Sequence, residues 1–131
     1  MRIALLTPGY PAPEAAHEYA FVHARARLYA SHGHETAVFV PGRDREYETD
    51  GVAVRVAPRA VLSTAIRAFR PEVLALHAPN FRTIPVARRV DCRQVSWVHG
   101  HEALFSLRRV HYARGLPAQI WKATKLVPMN L

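Results

Sequence analysis

The chain has 131 residues and a mass of 14.7 kDa, enough for one ordinary domain of about 100–150 residues and not for two. With 50% hydrophobic and 21% charged residues it buries a core, which excludes the disordered and low-complexity classes, and its single cysteine, Cys92, excludes an intramolecular disulfide or a cysteine-based zinc site. The net charge of +8 is unevenly placed: residues 1–50 carry five arginines against seven acids, and residues 51–131 carry thirteen basic residues against Glu72, Asp91 and Glu102.

Five short runs rich in Val, Ile and Leu have the length of strands: residues 2–7, 35–40, 52–57, 73–77 and 94–98. The first, fourth and fifth are nearly continuous apolar runs, the pattern of strands buried on both faces of a parallel sheet. The third alternates in part and is placed nearer an edge. Between the first two runs, residues 18–31 repeat apolar side chains at Phe21, Val22, Leu28 and Tyr29, the period of an amphipathic helix, with Gly33 at its stop. A second helix fits residues 59–69 and ends at Arg70-Pro71, because the residue before proline disfavours helix. A third fits residues 83–90, with Pro85 in its first turn. Residues 41–50 are polar and without period, hence a loop, and Asp50-Gly51 is a turn signal. After Glu102 the sequence shows scattered apolar side chains, five basic residues and no acid; no compact element is legible there. The alternation of strand and helix predicts an α/β fold, a Rossmann-like three-layer sandwich with a mostly parallel sheet, incomplete on its C-terminal side.

Neither the opening residues nor any internal run provides a signal peptide or the roughly 18 consecutive apolar residues of a membrane span. The predicted location is a reducing cytoplasm, and the basic second half suits an anionic partner or simply a solvated surface. In open α/β sheets ligands bind outside the carboxyl ends of the strands. That rule selects the long turn from Pro8 to Glu18, whose helix offers free N–H groups to an anion, the stretch His77-Ala78-Pro79-Asn80, and the stretch His99-Gly100-His101-Glu102. Two histidines at strand ends, His77 and His99, point to a shared crevice. His23 reads as a helix-surface residue, as does His111, while His32 and His34 read as helix-end residues. Neither G-x-G-x-x-G nor a P-loop follows the first strand. No metal site is assigned, because His99 and His101 lack a third convergent ligand, and without interleaved basic and aromatic residues nucleic acid is not an expected partner.

The order Arg2-Ile-Ala-Leu-Leu-Thr-Pro-Gly-Tyr-Pro-Ala-Pro, Phe21-Val-His23, Ala30-Ser-His-Gly-His-Glu35, Asp50-Gly-Val52, Arg70-Pro-Glu-Val-Leu74 with His77, and Trp97-Val-His-Gly100 with Glu102 resembles the N-terminal half of GT-B glycosyltransferases of the family 4 type. The resemblance covers residues 1 to about 107, leaving residues 108–131 as a basic tail. It implies two Rossmann-like domains facing a cleft, the N-terminal one holding the acceptor and the other a nucleotide-sugar donor, with metal-independent, retaining transfer and no cofactor beyond the donor as co-substrate. It also implies that His99 is the cleft histidine approaching the transferred sugar. Ala15 and Ala16 stand where many members carry paired glycines near donor phosphates, so a positive φ at either would hinder backbone approach. Tyr10, His17, Asn80 and Glu102 are rim positions suited to acceptor contacts.

The donor half has no counterpart in these 131 residues, so the chain reads as a fragment, inactive without its donor-binding C-terminal half because the clamp on the leaving diphosphate is missing; that half, or a second copy of the chain, is the expected protein partner. The expected acceptor is a glycan or a lipid-linked one beside an anionic cytoplasmic membrane face. The alternative is a noncatalytic module of the same scaffold that binds a membrane or a partner chain, with Leu104, Phe105, Leu107, Arg108, Arg109, Trp121, Lys122 and Lys125 forming an amphipathic basic tail. A third reading is another sugar-nucleotide enzyme of similar architecture, such as an epimerase.

Overall fold

The computed structural model describes residues 1–98; the tail over residues 108–131 and the expected boundary near residue 107 lie outside them. The first strand, β1 (Arg2–Leu6), is buried from Ile3 onward. It pairs in parallel with β2 (Glu35–Pro41) on one side, Leu5 opposite Val38, and with β5 (Val73–His77) on the other, Leu5 opposite Ala75. Beyond β2 lies β4 (Val52–Ala57), also parallel, and beyond β5 lies β6 (Arg93–Trp97). An antiparallel strand, β3 (Arg45–Thr49), closes the far edge and gives the order β3-β4-β2-β1-β5-β6. The fold is therefore α/β with a six-stranded, mostly parallel sheet.

Alternating residues of the strands feed two cores, as the two-residue period of a strand requires. Ile3, Leu5, Val38, Val40 and Val54 pack with Val22 and Ala26 of helix α1 (Ala20–Ser31). Ala4, Leu6, Phe39, Leu74 and Leu76 pack with Leu62 and Ile66 of α2 (Arg59–Phe69) and with Val86 and Ala87 of the short α3 (Ile84–Ala87). Helix α1 ends as its sequence directs. Gly33 has φ 78°, its amide donates to Ala30, and the amide of His34 donates to Tyr29, the paired bonds of a Schellman cap. Helix α2 keeps the bounds read from its period; its cap, Arg70, sits in the left-handed region at φ 54°.

Four expectations are corrected. The polar stretch 41–50 is not a loop, since it contains β3; Tyr47 and Thr49 are half-buried on one face while Arg45, Glu46 and Glu48 stay in solvent, the charged edge strand that discourages pairing with other chains. Asp50 and Gly51 have φ 49° and 75° and join β3 to β4 in two residues, the geometry of a type I′ hairpin. The fifth apolar run is not doubly buried: β6 exposes Arg93 to Ser96, including Val95 at 42%. The apolar face of α1 is Val22 and Ala26, whereas Phe21 and Leu28 are 48% and 50% exposed. The small Ala26 lets the helix approach the sheet closely, so only a narrow stripe is covered. The fourth correction concerns His23 and belongs to the site below. No helix among the described residues is long and apolar enough to cross a membrane.

Candidate functional site

The strand order reverses at β1, which sends one neighbour to each side, and the carboxyl ends of β1, β2 and β4 open into a cleft of about 670 Å³. Its walls come from Pro8, Gly9 and Tyr10 after β1, from Pro41 to Asp44 after β2, and from Arg82 after β5. The turn after β1 is tied down internally, with the buried Thr7 hydroxyl donating to the Gly9 carbonyl at 2.9 Å. Across the crevice, Arg82 donates from Nη1 to the Pro8 carbonyl at 3.4 Å and from Nη2 to the Pro41 carbonyl. One guanidinium thus straps the ends of two adjacent parallel strands to the segment that follows a third.

Half of the charged side chains along the walls are paired. Arg45 bonds Glu14, whose carboxyl is held below its ordinary value by its own backbone N–H and by that guanidinium. Asp44 takes Arg55 at 2.9 Å, and the same arginine reaches Glu46 at 2.9 Å. The Tyr47 hydroxyl donates to the Pro11 carbonyl at 2.9 Å, and burial raises its pKa. Arg43, Arg82 and Glu18 have no ion pair among the described residues.

Behind the cleft runs a second polar chain. The Tyr10 hydroxyl lies 2.6 Å from His23 Nδ1, and His23 Nε2 lies 2.9 Å from Asp50 Oδ2. Asp50 is held ionised, its pKa lowered first by the His23 hydrogen bond and then by Arg27, so Nε2 must carry the proton it donates. In the neutral imidazole Nδ1 is then an acceptor, and the tyrosine hydroxyl donates to it. Burial, with the negative potential of Tyr47 and Asp50 adding to it, raises the Tyr10 pKa and keeps that donor in place. His23 is therefore not a helix-surface residue; its side chain is 14% exposed, and it joins the post-β1 turn, α1 and the hairpin. Helical period alone places it one step from the buried Val22, which leaves its direction open; the hydroxyl of Tyr10 and the hairpin carboxylate decide it.

The residues selected from the sequence divide. Tyr10 lines the cleft, yet it is buried and its hydroxyl faces His23. Ala15 and Ala16 lie beside it in the loop, where Ala15 exchanges backbone bonds with Ala12; neither has a positive φ, and neither lines the cleft, nor does the exposed His17. Asn80 follows β5 at the same rim, but its carboxamide oxygen accepts the Arg82 amide at 2.8 Å and the Thr83 amide at 3.3 Å, which shapes the entry to α3. His99 and Glu102 lie outside the described residues. His77 is buried, its ring parallel to Trp97 at 6.1 Å, because the two occupy paired positions of β5 and β6; Arg25 lies 4.2 Å over the same tryptophan ring. The chain leaves β5 through Ala78 at φ 47°, a left-handed alanine that costs about 1–2 kcal/mol.

Arg82 and Arg43 are the cleft residues that strand-end reasoning passes over, while Glu18 ends the turn that the rule selected but was not singled out as a contact. Arg82 sits only two positions beyond Asn80, at the strand end the rule had selected, so extending that window along the loop reaches it. Among the described residues no three His, Cys, Asp or Glu side chains gather to hold a metal ion. Comparison with family models, with curated proteins and with solved structures finds no match for this chain.

Proposed function

We propose that this chain is the Rossmann-like, acceptor-side half of a nucleotide-sugar-dependent glycosyltransferase of GT-B architecture, retaining and metal-independent. The observation that carries the reading is the cleft at the carboxyl ends of β1, β2 and β4, the edge of the sheet on which open α/β folds bind their ligands. Its mixed lining suits a polyol. The Glu18 carboxylate accepts hydrogen bonds from hydroxyls, and guanidinium N–H groups donate to ring and hydroxyl oxygens. In the transfer an acceptor hydroxyl oxygen forms a bond to the anomeric carbon, the bond from that carbon to the nucleoside diphosphate breaks with its electron pair going to the diphosphate oxygen, and the hydroxyl proton passes to that departing diphosphate. His99 approaches the transferred sugar in this reading, and Glu102 supports the acceptor. The donor is held by a second half, and the whole works in the cytoplasm beside an anionic membrane surface.

The test follows amide shifts of the chain during titration with glucose, as a neutral saccharide, and with UDP-glucose. Glucose is expected to move Gly9 and Gly42, which border the cleft, while UDP-glucose gives no saturable binding below about 1 mM. Micromolar binding of UDP-glucose at those amides would place the donor here and overturn the assignment.

A further inference from the structure

The proposal concerns what the cleft selects in its acceptor, and it rests on the acceptor reading above. Three of the six charged side chains lining the cleft are occupied: Arg45 by Glu14, and Asp44 by Arg55 from outside. Two guanidinium groups, Arg43 and Arg82, remain without a carboxylate partner among the described residues, against one carboxylate, Glu18. Arg82 is half-buried, and a partly desolvated charge with only neutral partners leaves attraction to spare for an anion. Its two bonds to the carbonyls of Pro8 and Pro41 orient the planar fork and leave three of its five N–H donors for a ligand. The wall beside it is bare backbone: a Cβ at Gly42 would stand 2.8 Å from Val56 Cγ1, so strand end and core are already in contact and no side chain intervenes.

We infer that the cleft binds a phosphate monoester carried by a polyhydroxylated acceptor, with Arg82 and Arg43 on the phosphate and Glu18 on a hydroxyl. The charge count favours this group, since a phosphate monoester bears about −1.5 to −2 at neutral pH and meets two unpaired cations. Glu18 sets the other half of the selectivity, because a ligand anionic along its whole length meets an uncompensated carboxylate beside Gly9. The monoester can be that of a soluble sugar phosphate or of a polyhydroxylated lipid headgroup such as phosphatidylinositol 4-phosphate.

The experiment compares glucose with glucose 6-phosphate on the full chain, reading the amides of Gly9 and Gly42 at low and high salt. Glucose 6-phosphate is expected to bind at least tenfold more tightly, with affinity falling as salt rises. Arg82→Lys keeps the charge and loses the fork, and the advantage of the phosphate is expected to shrink. Should that variant misfold through loss of the Pro8 and Pro41 bonds, Arg43→Gln, at an exposed position without a side-chain bond, is expected to weaken glucose 6-phosphate several-fold and glucose distinctly less, so that the advantage of the phosphate again shrinks. Displacement of glucose 6-phosphate by vesicles containing phosphatidylinositol 4-phosphate, and not by vesicles containing phosphatidylinositol, assigns the monoester to a lipid; no displacement by either assigns it to a soluble sugar phosphate. Equal affinity for glucose and glucose 6-phosphate overturns the phosphate site and leaves the acceptor reading standing. Failure of both sugars to reach the cleft overturns the two together.

Discussion

The Tyr10–His23–Asp50 chain shows how one side chain acquires a task from its neighbours. Asp50 accepts a left-handed conformation that few residues take without cost, and asparagine shares that tolerance. Its carboxylate then receives His23 at 2.9 Å and stands 3.7 Å from Arg27. Because its folded pKa is lowered from 3.8, the contribution of this carboxylate is present above that value and is lost as pH falls through the folded one. Acid is thus expected to loosen the hairpin turn selectively below about pH 4. Asp50→Asn, which keeps the turn and removes the titration, is expected to be less stable than the parent at pH 6 and to differ from it less at pH 3, where the lowered pKa begins to be approached. Urea denaturation at the two pH values checks this, and a constant difference between the proteins across that range would remove the ion pair from the account.

The same accounting applies to whole elements, where caps and edges matter more than propensity. Helix α2 begins after Pro58 and buries Leu62 and Ile66 four residues apart, one stripe facing the sheet. It ends on Arg70, an exposed arginine at φ 54° whose amide donates to Arg67. A glycine there removes the left-handed penalty and keeps the amide. Arg70→Gly is expected to stabilise the fold by about 0.5–1 kcal/mol, read as a higher urea midpoint at unchanged slope. The hairpin of β3 and β4 makes the complementary case. Its strand carries charges on the solvent face and only Tyr47 and Thr49 half inward, too weak an alternation to read as a strand, although Asp50-Gly51 is the strongest short hairpin signal available. Reading that dipeptide as a hairpin, with strands imposed on both flanks, would have found β3.

For the molecule as a whole, burial on two faces separates the centre of the sheet from its edges. Leu5 is fully buried between paired neighbours in β2 and β5, and Val95 in β6 is 42% exposed. Leu5→Ala is expected to cost about 2–5 kcal/mol through lost transfer energy and the cavity left behind, whereas Val95→Ala is expected to stay within about 0.5 kcal/mol. Comparable losses at both positions, measured by urea denaturation, would show that β6 is as enclosed in solution as β1. The cleft is a property of this same scale. Arg82 reaches it from beyond β5 to bond carbonyls 74 and 41 residues away in sequence, so its role is set by strand order and not by its local motif.

What could be read from residues alone was what local chemistry dictates: the bounds of β4, β5 and α2, the start of β1, the glycine stop after α1, and the mostly parallel class of the sheet. Those features depend on period, backbone preference and the burial demanded by runs of Val, Ile and Leu. Which apolar residues of α1 turn inward, whether the last run lies at an edge, and which polar side chains meet in the cleft depend on contacts between distant segments. Tyr10 and Asn80 were legible as rim positions, but the Tyr10 hydroxyl is spent on His23 and the Asn80 carboxamide oxygen on the start of α3. The guanidinium of Arg82 took the place at the strand ends because β1, β2 and β5 lie side by side there, a proximity that exists only once the sheet is assembled.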